Sequence, residues 1–225
     1  HRNTRRQRQM CIRDRPKISI VGSRRAYAYS RSMVQTLTSE LKKRDLCVVS
    51  GGAMGIDAAS HEGAYPNTIA VLANGLDIVD PKVNKKIVTK MAENALLLSE
   101  YEEGTVARPY SFVERNRLVV ALGDVLVVAQ ADLDSGSMRS VEFALETGKR
   151  IFVLPHRLGE SEGTTKLLKE GKAELITDIK AFADLFGSCS EAEDEFLAYC
   201  MRAPSYEEAI AFDSQKLFEY ELSGK

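Results

Sequence analysis

The chain has 225 residues, a formal net charge of −1, and 44% hydrophobic and 28% charged residues. Such a length suits one substantial domain plus a small one, and the composition excludes a disordered or fibrous chain. The near-neutral charge excludes a global basic field, so contact with nucleic acid would need a local basic pocket. No apolar run is long enough for a bilayer span, and no secretory apolar segment is expected. The four cysteines (Cys11, Cys47, Cys189, Cys200) form no CxxC pair, so neither a disulfide framework nor a metal site is expected. A reducing cytoplasm fits this usage, and Cys47 reads as a small core residue.

Residues 1–15 carry Arg2, Arg5, Arg6, Arg8, Arg13 and Arg15 with almost no apolar content. They read as a disordered or non-native tail, or else as a basic nucleic-acid-binding arm. Residues 16–187 read as one α/β domain, and residues 188–225 as a small helical segment. Lys17 to Gly22 is a short apolar run ending at glycine, as a buried parallel strand does. Ser30 is placed to cap a helix with Met33, Val34, Leu37 and Leu41 at helical spacing.

A second strand, Leu46 to Ser50, runs into Gly51-Gly52-Ala53-Met54-Gly55-Ile56-Asp57 and a helix to about Gly63. A strand, a glycine turn and a helix N-terminus together form an anion site: backbone approaches closely, and free N–H groups point at the ligand. The alternative is a tight turn with Asp57 as helix cap. A third strand follows at Thr68 to Ala73, a helix from Pro81 to Asn94, and a fourth strand at Ala95 to Ser99.

Phe112 to Leu122 reads as a helix with Phe112, Arg115 and Asn116 on one face. Asp124 to Ala129 is the most apolar strand, and Ser137 to Thr147 a helix closed by Gly148. Strands at Arg150 to Leu154 and Ala173 to Thr177 and helices opening at Gly163 and Ile179 complete the domain. Alternating strands and helices mean a parallel sheet covered on both faces, with the ligand crevice at the strand carboxyl ends. Loops after Val21, Val49 and Val128 leave glycine, serine or arginine at those ends. Beyond a linker at Gly187 to Ser190, Glu193 to Met201, Ser205 to Ala211 and Ser214 to Leu222 read as three short helices. Ser205 and Glu208 form a capping-box pattern. This segment is acidic, which opposes a large role in DNA contact.

Four motifs in order, Gly22-Ser23-Arg24-Arg25, Ser50 to Asp57, Phe112-Val113-Glu114-Arg115-Asn116-Arg117 and Ser135-Gly136-Ser137-Met138, resemble the DNA-processing protein A (DprA, or Smf) family, with an epsilonproteobacterial-like cast. The resemblance spans about Lys17 to Phe186. It implies an extended Rossmann domain, followed by part of a winged-helix-like segment. It implies single-stranded DNA binding in natural transformation, protection of incoming DNA, loading of the RecA recombinase, homodimerisation and no cofactor. Carried over by motif, Gly22, Ser23, Arg24 and Arg25 belong to a basic pocket. Ser50, Gly51, Gly52, Ala53, Gly55 and Asp57 belong to the phosphate loop. Phe112 stacks a base, Arg115, Asn116 and Arg117 line the site, and Ser135, Gly136 and Ser137 form the opposite wall. Val113 stands where the family usually has proline.

His61 and His156 read as structural. A dimer interface is expected over Ser137 to Leu154, with Val141, Phe143, Leu145, Ile151 and Val153. The competing reading is an enzyme: nucleotide binding or nucleoside-monophosphate hydrolysis, as in the lysine-decarboxylase-like Rossmann group. That group's Pro-Gly-Gly-x-Gly-Thr loop is not matched at Asp134 to Met138, and the glycine loop lacks the Walker lysine-serine ending.

Overall fold

The computed structural model describes residues 15–189 and 205–223. The expected helix at Glu193–Met201 and the arginine-rich stretch before Arg15 lie outside these. The chain divides into two compact units, residues 1–189 and 190–225.

In the first unit, seven strands form one sheet: β1 (Lys17–Gly22), β2 (Cys47–Gly51), β3 (Thr68–Leu72), β4 (Leu96–Ser99), β5 (Val125–Gln130), β6 (Ile151–Val153) and β7 (Glu174–Leu175). Every pairing is parallel, in the order β4-β3-β2-β1-β5-β6-β7. The order reverses between β1 and β5, which makes the carboxyl ends of that pair the switch point of a Rossmann-like sheet. All residues of β2, β3 and β5 are buried, the mark of strands covered on both faces.

Because side chains alternate along a strand, the two faces sort by parity. Ile18, Ile20, Val48 and Val127 pack with Val34, Leu37 and Leu41 of α1 (Ala28–Lys43), with Ile56 and Ala59 of α2 (Ile56–Ala64), and with Phe182 of α7 (Ile179–Asp184). Val21, Cys47, Val49, Leu126 and Val128 pack with Val119 and Val120 of α4 (Pro109–Leu122), Val141 and Ala144 of α5 (Gly136–Glu146), and Leu167 of α6 (Glu162–Lys169). Fully burying each Val, Leu or Ile contributes about 1.5–3 kcal/mol, so these two layers carry the fold. α3 (Lys85–Asn94) buries Met91 against Ala70 and Leu72 at the sheet edge.

Several boundaries differ from the sequence reading. α1 starts at Ala28 behind Tyr27, while Ser30 is buried with its Oγ 3.0 Å from His156 Nε2. α4 starts at Pro109, where proline's fixed φ suits the first helical position, and the Arg108 N–H donates to Ser111 Oγ at 3.3 Å. The helix expected from Pro81 begins as a 3₁₀ turn, Lys82–Asn84, before α3. At its far end α4 is closed by Lys149, whose Nζ donates to the carbonyls of Val120 (2.6 Å), Ala121 (2.8 Å) and Gly123. Of the five apolar residues expected at a dimer interface, Val141, Ile151 and Val153 are core. Leu145 is exposed and Phe143 half-buried.

In the second unit, α8 (Tyr206–Ser223) is interrupted by extended backbone at Asp213, φ −160° and ψ 95°, which separates the two expected helical pieces. The capping box forms: Ser205 N–H donates to Glu208 Oε2 at 2.8 Å, and Glu208 N–H to Ser205 Oγ at 3.3 Å.

Candidate nucleic-acid interface

The site begins with an irregularity in pairing. Val21 of β1 opposes Val128 of β5, but Gly22 opposes Gln130, so Ala129 is an extra residue and the pair is bulged there. Gln130, at the end of that most apolar strand, is only 3% exposed. Its carbonyl accepts from Ser23 N–H at 2.9 Å, and its side-chain Oε1 accepts from Tyr27 N–H at 3.0 Å. Both ends of the β1–α1 loop are thereby fastened to β5. Arg24 and Arg25 between them are exposed, and the Arg24 guanidinium lies 4.5 Å from the centroid of the Phe112 ring, a cation–π contact.

A cleft of about 590 Å³ opens over this switch point. The β1–α1 loop supplies Gly22, Ser23, Arg24, Arg25 and Tyr27 to its lining. The glycine loop supplies Gly51, Ala53 and Asp57. From α4 come Pro109, Phe112, Val113, Arg115 and Asn116, and from the start of α5 come Ser135, Gly136 and Ser137. Thirteen of the residues singled out by sequence thus share one cleft. Ser50, Gly52, Gly55 and Arg117 do not line it. Ser50 is buried and its hydroxyl donates to the Ile20 carbonyl at 2.7 Å. Arg117 is exposed and bonds both oxygens of Glu100, at 2.7 and 2.6 Å.

The glycine loop is turned inward. Gly55, not Asp57, is the helix N-cap, and Asp57 sits in the first turn of α2. Asp57 Oδ2 accepts from Ala53 N–H at 3.3 Å, and Ile56 N–H donates to the Ser23 carbonyl at 3.2 Å. Arg115 is 4% exposed; it donates to the Val71 carbonyl, and its Nε to Asn116 Oδ1 at 3.2 Å. A Cβ on Gly51 would meet Asp57 Oδ2 and, at 2.5 Å, both terminal nitrogens of Arg115, so a side chain there would force this buried pair to shift. Burial raises the Asp57 carboxyl above its ordinary value, and the nearby Arg115 charge pulls it back down. Burial likewise lowers the Arg115 guanidinium, with Asp57 opposing the shift. The loop amide of Ala53 therefore serves an internal carboxylate, and the cations left facing solvent in the cleft are Arg24 and Arg25.

Two further residues support the loop: Asn84, which carried no sequence signal, and His61, which is structural as its place in the sequence suggested. Asn84 ends the 3₁₀ turn; it is buried, and its Nδ2 donates to the carbonyls of Gly52 and Ala53, both at 2.9 Å. His61 is buried between Thr68 Oγ1 at 2.7 Å and the Gly51 carbonyl at 3.1 Å. The carbonyl can only accept, so His61 carries a proton on Nε2, while its Nδ1 faces the Thr68 hydroxyl, which donates to the Val48 carbonyl at 3.0 Å or to His61. Burial lowers its pKa to about 4. The unfolded chain then binds the extra proton between pH 6.5 and 4, so stability is full above 6.5 and falls as pH drops through that window. About 3 kcal/mol is at stake. In urea titrations from pH 7 to pH 4, His61→Gln is expected to flatten this loss, and an unchanged profile would refute it.

At the opposite wall, Ser135 is the N-cap of α5, and its buried Oγ has no hydrogen-bond partner among the described residues. Asn116 Nδ2 reaches the Gly136 carbonyl at 3.5 Å. Among the described residues no group of three or more His, Cys, Asp or Glu could hold a metal ion, and no helix is long and apolar enough to cross a membrane.

A parallel sheet whose strand order reverses under a cleft with arginines and glycines defines a Rossmann-like domain with a candidate ligand crevice at the switch point. The chain belongs to the DNA recombination-mediator protein A family, whose model matches residues 8–187. It is similar to the structure of DNA processing protein A from Helicobacter pylori, described for its single-stranded DNA binding mode: 43% identity, TM-score 0.76, covering 78% of this chain and 82% of that one. The structure of the Streptococcus pneumoniae DNA processing protein A matches at 35% identity and TM-score 0.73, covering 79% and 64%. A curated pneumococcal DNA processing protein DprA is 38% identical over 167 residues, which is 72% of this chain and 58% of that protein. A Bacillus subtilis relative of the same name is 34% identical over 75% of this chain and 59% of its own length. The chain thus spans under three-fifths of these curated relatives.

Proposed function

We propose that the chain binds single-stranded DNA in the cleft between β1 and β5, without sequence preference and without catalysis. The observation that carries this is the loop Ser23–Tyr27, fastened at both ends to Gln130, which presents Arg24 and Arg25 beside Phe112. Basic grooves next to aromatic rings suit strands whose phosphates and bases are both exposed. Arginine favours phosphate because its planar fork donates two hydrogen bonds. The single-stranded DNA binding described for the H. pylori relative supports the same ligand here. Asp57, the carboxylate closest to the glycine loop, is committed to Ala53 N–H and Arg115, which speaks for binding rather than general acid–base work. In this reading the protein acts in the cytoplasm as a homodimer, protects incoming DNA during natural transformation, and passes it to the RecA recombinase.

Affinity for a single-stranded oligonucleotide should fall with salt, with a slope near −0.7 per phosphate neutralised. Replacing Arg24 and Arg25 together by alanine is expected to flatten that slope by about 1.4, two contacts. Arg117→Ala should leave it unchanged, because Arg117 is paired with Glu100 away from the cleft. Equal slopes for wild type and the double variant, measured by fluorescence anisotropy, would overturn this assignment.

A further inference from the structure

The aromatic content of the cleft is larger than the motifs indicated. Phe112 is half-buried, and one face of its ring is already covered by the Arg24 guanidinium. Tyr27 lines the same cleft and is 49% exposed, with its backbone pinned on both sides: its N–H donates to Gln130 Oε1 at 3.0 Å and its carbonyl accepts from Arg31 N–H at 3.1 Å. Pinning the backbone removes part of the entropy cost of using the side chain, since only the ring's two torsions stay free. Among the described residues the layer beneath α1 is built from Val34, Leu37 and Leu41 without this ring. A large, half-exposed aromatic on a fixed backbone beside two exposed arginines is a platform for a flat, apolar-faced ligand that also carries negative charge.

We propose that Tyr27 is a nucleobase-stacking site in its own right, distinct from Phe112, and that it takes the base adjoining the phosphate held by Arg24 and Arg25. This rests on the single-stranded DNA reading given above. Phe112 has one face on the Arg24 guanidinium. Stacking on an aromatic ring needs the π-face and not the hydroxyl, and it serves every base. The site therefore adds affinity without sequence preference.

The test compares wild type, Tyr27→Ala and Tyr27→Phe on a single-stranded oligonucleotide and on a fully abasic strand of equal length, each across a salt series. Truncating the ring leaves both backbone anchors of residue 27 intact. On the normal strand Tyr27→Ala is expected to weaken binding roughly fivefold or more with an unchanged salt slope, and Tyr27→Phe to match wild type. On the abasic strand all three proteins should bind alike. Equal affinity of Tyr27→Ala and wild type on the normal strand would overturn the site. So would an equal loss on both strands, which would mark a structural role, or a loss shared by Tyr27→Phe, which would mark a hydroxyl contact. Wild type binding neither strand would overturn the parent reading and this site together, an outcome separate from all of these.

Discussion

Gly55→Ala is expected to destabilise the sheet-bearing unit by about 3 kcal/mol. Gly55 has φ 78° and ψ −119°, a region in which a side chain is strained. An added Cβ would also meet the Ser23 carbonyl oxygen, and the Arg24 carbonyl oxygen at 2.7 Å. Those are backbone atoms of the loop fastened to Gln130, so they cannot swing away as a side-chain tip could. The melting midpoint should drop by roughly 6–12 °C, at about 2–4 °C per kcal/mol for a domain of this size. A midpoint within about 1 °C of wild type would mean that the loop relaxes freely. Displacing the Ser23 and Arg24 carbonyls should also weaken oligonucleotide binding at temperatures where the variant is folded.

Arg115→Ala should cost a similar amount for a different reason, about 3–5 kcal/mol at neutral pH, because it leaves a buried carboxylate without its opposing charge. Asp57 is already raised above its ordinary value by burial, and removing Arg115 raises it further. The sign then follows from proton binding. Between the unfolded value near 3.8 and the higher folded value, the folded state binds more protons, so stability falls as pH rises through that window. The deficit of Arg115→Ala should therefore shrink on acidification as Asp57 becomes neutral. Adding Asp57→Asn to Arg115→Ala should recover part of the loss at neutral pH. Denaturation curves of the two variants at pH 7 and pH 5 test both statements, and a pH-independent deficit with no recovery would refute them.

Strand identity was legible because buried parallel strands are short apolar runs, and Lys17 to Gly22 and Val125 to Gln130 say so plainly. The cleft was legible because glycine and arginine cluster at strand ends. What local pattern could not tell was how a residue's polar end is used once folded. Arg115 and Arg117 look alike in sequence, yet one is enclosed against Val71 and Asp57 and the other turns to Glu100. Spacing along a helix gives a face, but not whether that face meets a sheet or solvent. The phosphate-loop reading of Gly51 to Gly55 missed that Asp57, one turn on, folds back onto the loop amide. Asn84 and Gln130 act over 32 and 103 residues of separation, through contacts that only tertiary structure creates. The two helical pieces of the second unit were legible, as was their cap, because both are set by neighbours within a few residues.

The fastening of the β1–α1 loop also bears on how this protein can vary. Its two anchors, Ser23 N–H and Tyr27 N–H, are main-chain amides held by one residue of the neighbouring strand. Every amino acid except proline supplies such an amide. The path of the loop is thus independent of which side chains stand at 24 and 25, and largely of the one at 27. Charge and ring content at the mouth of the cleft are interchangeable fittings on a fixed frame, so descendants of this chain can retune ligand preference there without rebuilding the sheet. The frame itself tolerates less: the Tyr27 end depends on the Gln130 side chain, and a proline at 23 or 27 would release one end of the loop.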